Sequence, residues 1–222
     1  MRGGAMKYSI LTATVLTILA TPALAQDARF PGFHVEAVVG YDHTSAKVTY
    51  EDTAFPADNF EVEEDTNGVV YGIGAGYDLR ISEGNYFGIE AGYEFSDNER
   101  CEEVYGGDEA CFSLKRNLHV GVRGGTRLNS RTMAFAGIGY INGKGRVSYA
   151  DPADPAGDFS YSEDRNGFRL SAGLEHRLVR NVFGKIEYRY FNYDNFTEEV
   201  GTETASLGFD RNQLVIGIGA RF

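Results

Sequence analysis

The sequence has no tryptophan and, beyond residue 26, no apolar run long enough to cross a membrane as a helix. A spanning helix needs about 20 mostly apolar residues, so transmembrane helices are excluded from this part of the chain. Basic residues are also scarce: there are 21 lysines and arginines against 32 acids, and the formal net charge is −11. Nucleic-acid binding is excluded as well, because a strongly acidic chain is repelled by the phosphate backbone.

A shorter apolar run lies at the N-terminus, at residues 10–20. Lys7 precedes it with a positive charge, and Ala23 and Ala25 form the small-x-small pattern of a signal-peptidase site. The run is too short to span a bilayer as a helix. The pattern predicts a cleaved signal peptide at residues 1–25 and one mature domain at residues 26–222. An uncleaved N-terminal anchor helix is the alternative.

Aromatic residues and glycine are abundant, with 14 tyrosines, 15 phenylalanines and 28 glycines, which is a composition typical of strands and turns. Apolar residues occupy every second position in segments of about ten residues, the length that a tilted strand needs to cross hydrocarbon. In the segment at 132–142 the faces are ambiguous, and we take Ala134, Ala136, Ile138 and Tyr140 as outward. The predicted strands lie near 33–42, 69–80, 87–95, 114–123, 132–142, 168–178, 185–190 and 212–222.

Two folds suit such an exported chain, a secreted β-sandwich and an outer-membrane barrel. The polar face of the strands is mostly glycine mixed with charges of both signs, which fits a narrow lumen better than a face in water. Connections alternate between short ones, at 82–85, 129–131 and 179–181, and long acidic ones, at 43–66, 96–112, 143–167 and 192–211. The sequence therefore predicts an all-β fold: an eight-stranded antiparallel up-and-down transmembrane β-barrel with both termini periplasmic and the long loops outside the cell.

Three segments carry a family resemblance. The last strand, NQLVIGIGARF (212–222), ends on an aromatic residue and resembles the signature that the barrel-assembly machinery reads. FAGIGY (135–140) and KIEYRY (185–190) resemble strands of the small opacity-protein and outer-membrane-protein-A-like barrels of proteobacteria, the porin-family barrel domain. The resemblance spans essentially the whole mature chain and implies that Phe222 is the assembly signal. The lack of tryptophan departs from the family pattern, and tyrosine and phenylalanine must form the interfacial girdles.

The two cysteines, Cys101 and Cys111, both lie in the second long connection. An even count in an exported chain favours a disulfide, and Gly106 and Gly107 provide a turn between them. A redox-active pair is the alternative, but the CxxC spacing is missing.

Charged residues on the inward face predict an ion network in the lumen. Its structural interpretation is a set of ion pairs that plugs the barrel, because eight strands leave an interior only wide enough for side chains. The alternative is a gate whose ion pairs exchange partners to admit water and ions. The predicted members are Glu36, Glu90, Glu94, Lys115, Arg123, Arg169, Glu175, Arg177, Glu187 and Arg189.

Other motifs predict no cofactor, metal or catalytic site. The acids around Glu61–Asp65 and at 151, 154 and 158 lack the D-x-D-x-D-G spacing of a calcium loop, so a solvated acidic rim is favoured over a defined site. The glycines at 72–76 and 137–143 precede no helix and do not form a phosphate loop. His43, with Asp42 and Ser45, forms no recognisable catalytic motif, although some outer-membrane barrels are enzymes.

These observations predict a non-enzymatic outer-membrane surface barrel with an envelope-structural role and loop-mediated interactions. Its expected partners are outer-membrane lipid and lipopolysaccharide, the barrel-assembly machinery during biogenesis, and an extracellular ligand of the loops. A small-solute channel and a lipid-modifying enzyme are the two alternatives.

Overall fold

The computed structural model describes residues 30–103, 107–152 and 157–222, with the backbone alone of 198–200. The predicted signal peptide at 1–25 lies outside these ranges. Within them, no helix is long and apolar enough to pass through a membrane. A short 3-10 helix, Pro56–Asp58, interrupts one hairpin. The strands are β1 Gly32–Asp52, β2 Phe60–Ser82, β3 Asn85–Ser96, β4 Glu99–Glu103, β5 Glu109–Arg127, β6 Thr132–Ala150, β7 Phe159–Val179, β8 Val182–Val200 and β9 Glu203–Arg221.

The strands form one antiparallel sheet that closes on itself. β1 pairs with β9, with Val35 opposite Ala220 and Tyr41 opposite Leu214. β3 pairs with β5, so the ring runs through eight strands, and the short β4 pairs with β5 beyond the end of β3. The predicted all-β antiparallel barrel is confirmed. The described strands number nine instead of eight, because Asp97 and Asn98 separate β4 from β3.

The two ends of the barrel differ. At one end, which we call the turn end, β2–β3, β5–β6 and β7–β8 are joined by short turns. At the other, which we call the hairpin end, strand pairing continues far beyond the length needed to cross hydrocarbon. Tyr50 still pairs with Phe60, and Tyr149 with Phe159. The predicted long acidic connections lie at this end, but much of 43–66, 143–167 and 192–211 is β-strand, because the alternation of apolar and polar residues continues through these charged segments.

The inner and outer faces follow the alternation. Ile73 and Ile216 are exposed on the outside, whereas Val70 and Val215 are fully buried inside. In β6, Ile138 and Tyr140 are exposed while Ile141 is buried, which confirms the face chosen for this strand.

Glycines on the inner face make room for larger groups on neighbouring strands. A methyl group at Gly76 would lie 2.6 Å from the His34 ring, and one at Gly74 would lie 3.1 Å from Oε1 of Glu36. The strands that flank β2 present a histidine and glutamates in this space.

Tyrosines lie on the outer face where the strands pass into the hairpin end, each bonded to a residue two positions along the neighbouring strand. Tyr140 donates to Oδ1 of Asn166 (2.5 Å), and Tyr190 donates to Oδ1 of Asp210 (2.6 Å). Tyr41 makes the same contact with Asn67. A tyrosine whose ring lies against an apolar face and whose hydroxyl donates to a polar side chain suits the membrane–water interface. Tyrosine thus takes the place of the missing tryptophan.

Cys101 and Cys111 form a disulfide, as predicted. The two residues are directly opposite each other in the β4–β5 pairing, so the bridge ties together neighbouring strands at the hairpin end.

We expect that a thiol reagent will label no cysteine in the native, unreduced protein and two after reduction. Replacing both cysteines by serine should destabilise the β4–β5 hairpin by about 2–3 kcal/mol, the value expected for closing so short a loop. Protease cleavage within the hairpin, with the barrel itself remaining resistant, is the measurement. Labelling of both residues before reduction would contradict the bridge.

Candidate functional site

Buried charges fill the lumen in three levels. At the turn end, Asp78 accepts hydrogen bonds from Nη1 of Arg221 (2.6 Å) and from Arg123 (Nε, 2.9 Å). Glu175 accepts from Nη2 of Arg221 at 2.7 Å, and its other oxygen lies 3.6 Å from Arg123. Nδ1 of His34 lies 3.5 Å from Asp78. Two arginines thus bridge two carboxylates from four different strands.

The central level is organised around Glu187, which is fully buried. Its carboxylate lies 2.6 Å from Arg169, 2.8 Å from Lys185 and 2.8 Å from Arg189. Each of these cations also contacts a second carboxylate. The second contacts are Arg169 with Glu90 (3.1 Å), Lys185 with Glu36 (2.5 Å) and Arg189 with Glu94 (2.5 Å). Such sharing compensates the desolvation of every charge, which a buried ion pair requires.

The third level, nearest the hairpin end, is a single ion pair between Asp42 and Arg211. Asp42 accepts two hydrogen bonds from the guanidinium of Arg211, and it also accepts one from Ser96 (2.7 Å). The two-pronged arrangement is the strong form of an arginine–carboxylate contact.

Apolar clusters lie at both ends of the charged levels. Phe30, Tyr86, Met133 and Phe135 are buried together at the turn end. Ile141, Phe191 and Tyr193 pack with Phe209 on the hairpin side. Because side chains fill the lumen from one cluster to the other, the arrangement resembles a packed core with paired charges.

The structure brings most of the predicted network together in the lumen. These residues are Glu36, Glu90, Glu94, Arg123, Arg169, Glu175, Glu187 and Arg189.

Two predicted members lie elsewhere. Lys115 is half-exposed and its ammonium lies 3.7 Å from Glu99. The β5–β6 register shifts between Leu114 and Arg116, so the simple alternation used to place Lys115 fails at this bulge. Arg177 lies at the turn end, where it donates to the carbonyl of Ser130 at 2.5 Å and covers the Phe30 ring. Another register shift follows it, between Arg177 and Val179.

Sequence reasoning also missed five lumen charges: Asp42, Asp78, Lys185, Arg211 and Arg221. The inward alternation of β1, β2, β8 and β9 was the available signal for four of them. Arg211 falls in a stretch that was predicted as loop.

The structure separates Asp42 from His43 and Ser45, the other two residues considered for catalysis. Asp42 faces the lumen, whereas His43 bonds to Asn67 at 2.8 Å and Ser45 to Asp65 at 2.6 Å. Glu61 pairs with Lys47 at 2.8 Å, and Asp154 lies outside the described residues. Among the described residues, Glu99 lies close to both cysteines, but their sulfurs are bonded to each other and offer no thiolate.

At the hairpin end, the pKa of Tyr149 is raised above its ordinary value. Tyr149 donates a hydrogen bond to Asp108, and this bond, more than burial, raises the pKa of Tyr149 to about 12. The phenol therefore stays protonated at neutral pH and holds the residue that precedes β5 against β6.

Phe222 packs beside β1. Its ring centre lies 6.2 Å from that of Phe33, and its N–H donates to the carbonyl of Phe33 at 2.8 Å. Its role as assembly signal stays a prediction.

Comparison with known proteins is consistent with this architecture. A family model described as the outer membrane protein β-barrel domain matches residues 11–222. The 25 kDa outer-membrane immunogenic protein of Brucella canis is 36% identical over 61 residues, which cover 28% of this chain and 29% of that protein. The 22 kDa outer membrane protein of Rhizobium leguminosarum bv. viciae is 30% identical over 73 residues, covering 30% and 35%. The matched segment spans about a third of each relative.

Among solved structures, the outer membrane protease OmpT of Escherichia coli superposes with a TM-score of 0.54 at 10% sequence identity. The superposition covers 86% of this chain and 97% of OmpT. At that identity the similarity establishes the fold alone.

Proposed function

Because this chain belongs to the family of outer membrane protein β-barrel domains, we propose that it is a non-enzymatic surface barrel of the bacterial outer membrane. The half in the membrane anchors the protein, and side chains fill its lumen. The hairpin end projects from the cell and contacts extracellular partners. In this orientation both termini are periplasmic. The orientation is supported by the short turns at one end and the long hairpins at the other, which is the usual arrangement of outer-membrane barrels.

The observation that carries the proposal is the packed lumen. Glu187 and Arg189 lie at its centre with 0% and 1% of their surface exposed, so no wide water path passes between them. An interior of eight strands has room for side chains or one small ligand, whereas much larger barrels are needed for an aqueous channel. This favours the plug over the gate.

The outer face of the hairpin end supports a role in contacts. Glu51, Glu61, Glu63 and Asp164 are exposed there, and these acids outnumber the cations that pair with them, Lys47 with Glu61 and Arg116 with Asp164. Such a surface suits lipopolysaccharide bridged by divalent cations, or an extracellular ligand that carries positive charge. Outer-membrane lipid around the apolar belt and the barrel-assembly machinery during biogenesis complete the proposed partners.

The test is conductance in planar lipid bilayers. The full mature chain, folded and inserted, is expected to give no steady ohmic conductance, because buried ion pairs occupy the lumen. A wide porin inserted into the same bilayers verifies that insertion would be detected. Reproducible unitary steps from this protein would overturn the plug and support the channel. Mass spectrometry of lipid A from expressing cells tests the enzyme alternative, since loss of a fatty acid would contradict a non-enzymatic role.

A further inference from the structure

The alternation of apolar and polar residues inverts along the strands. In the lower part of β1, Val39 and Tyr41 face outward and Asp42 faces the lumen. Nearer the tip of the same strand, Val48 faces inward, because it pairs with Leu207, which lines the interior, and Lys47 therefore faces outward. The pairing of β1 with β2 and β9 shows no register shift, so the faces are the same and only their chemistry has changed.

Two strands on another side of the ring, β6 and β7, invert in the same way. In β6 and β7 the outer face changes from residues such as Ile138 and Leu170 to Arg146, Ser148 and Ser162. An apolar exterior with a polar interior suits lipid, whereas a polar exterior with an apolar interior is the pattern of a soluble barrel that holds a ligand. The hairpin end therefore has the residue pattern of a water-soluble barrel, although the same strands form a membrane barrel below it. We call this part of the barrel the cup.

The interior of this cup contains a cavity of about 110 Å³. Its apolar lining, which we call the apolar bowl, is formed by Phe112, Leu114, Val147, Tyr161, Leu207 and Phe209. Two of these rings, those of Phe112 and Phe209, stack on each other in the cavity wall, with centroids 5.4 Å apart and planes 4° from parallel.

A cluster of buried apolar residues lies beneath the apolar bowl. Tyr193, Ile141 and Phe191 are buried beneath it and pack with Phe209. This apolar layer lies between the bowl, which Tyr193 also lines, and the lumen charge of Arg211, whose guanidinium is 5.9 Å from the centroid of the Phe191 ring.

The cavity is also lined by two charged residues, which neutralise each other. Arg165 pairs with Glu163 at 2.8 Å, and its guanidinium also lies over the Phe196 ring at 5.1 Å from the centroid. Because the two charges balance, the lining presents no net charge that would attract an ion, which favours a neutral ligand.

We propose that the apolar bowl binds a small neutral molecule with a single aromatic ring. The cavity of about 110 Å³ is somewhat smaller than an enclosed apolar cavity of about 150 Å³ that holds benzene, so a single ring, partly at the opening, is the largest group that it accommodates. The preference for a ring comes from the stacked phenylalanines and Tyr161, which offer faces and edges for aromatic contacts. The inference needs only the fold, and it holds whether or not the proposed surface role is correct.

Fluorobenzene, followed by ¹⁹F NMR on the full mature chain in lipid nanodiscs, tests the proposal. Saturable line broadening is expected with the wild-type protein and should be lost in Gly145→Leu. Gly145 lines the cavity, and a methyl group there would meet Phe112 at 3.7 Å, an ordinary contact, so leucine can enter the bowl without forcing the backbone apart. Val147→Trp fills the same space from two residues farther along the strand and serves if Gly145→Leu does not fold.

Gly124→Leu is the matched control. It introduces the same side chain on the outer, lipid-facing side of β5, where a methyl group would meet nothing within 4 Å. Each variant must first show the altered gel mobility of an unboiled, closed barrel. Broadening that survives in the bowl variants, or that does not saturate in the wild type, would mean that fluorobenzene only dissolves in lipid and would overturn the site. Equal binding of fluorocyclohexane would overturn the aromatic class.

Discussion

Replacing Arg189 by glutamine is expected to lower the free energy of unfolding by about 3–5 kcal/mol, the usual effect of removing one partner from a buried ion pair. Arg189 lies between Glu94 and Glu187, at 2.5 and 2.8 Å. Without Arg189, the one ion-pair partner left to Glu94 in the described part of the chain is His119, whose Nδ1 lies 3.9 Å away, although Glu94 is only 1% exposed. Denaturant unfolding in detergent micelles or lipid, followed by tyrosine fluorescence, measures the change.

Lys115→Gln is the matched control for this variant. It removes a cation that sequence alternation assigned to the same network but that in fact lies beside Glu99 on a half-exposed surface. The expected change is within about 0.5 kcal/mol, as for most exposed ion pairs. If the two variants cost the same small amount, the lumen is wet enough to screen its charges, and the plug is contradicted.

Replacing Phe222 by alanine is expected to reduce the protein in the outer membrane to a small fraction of the wild-type level, while folding into lipid in vitro stays nearly normal. Phe222 is 61% exposed on the outer face and packs on Phe33. The lost burial amounts to about 1–2 kcal/mol, too little to open a closed barrel. A large defect confined to cells therefore points to recognition by the assembly machinery. Membrane fractionation and gel mobility of unboiled samples provide the two measurements.

Phe33→Ala separates recognition from packing, because it removes the other half of the same ring contact and leaves the last strand unchanged. We expect it to accumulate in cells nearly as the wild type does. If both variants assemble equally well, or if Phe222→Ala also fails to fold in vitro, the assignment of Phe222 as an assembly signal is wrong.

The membrane half of the fold was predictable because lipid imposes a strict period of two on every strand. That period located the strands, and it assigned Ile138 and Tyr140 to the outside even where both faces of β6 are apolar. It failed at Lys115, since a single bulged residue reverses the faces and leaves no clear mark in a sequence.

The hairpin end was missed although its period is equally regular. In Lys47–Val48–Thr49–Tyr50–Glu51 every second residue is apolar, yet the density of charge in the surrounding segment suggested a loop. The partners within the lumen could not be predicted either. The inward positions of Asp78 and Arg221 follow from alternation, but their contact at 2.6 Å depends on how the strands stagger around the ring.

The seam between β1 and β9 has a consequence for the time course of folding. Every other pairing among the described strands joins neighbours in the chain, or β3 to β5 across β4, and can form as a local hairpin. The seam brings together segments separated by nearly the whole described chain, so its encounter is the slow, non-local event. Its equilibrium cost is modest, because loop-closure entropy grows only with the logarithm of loop length. Closure of the seam therefore limits the rate at which the protein matures far more than it limits its final stability.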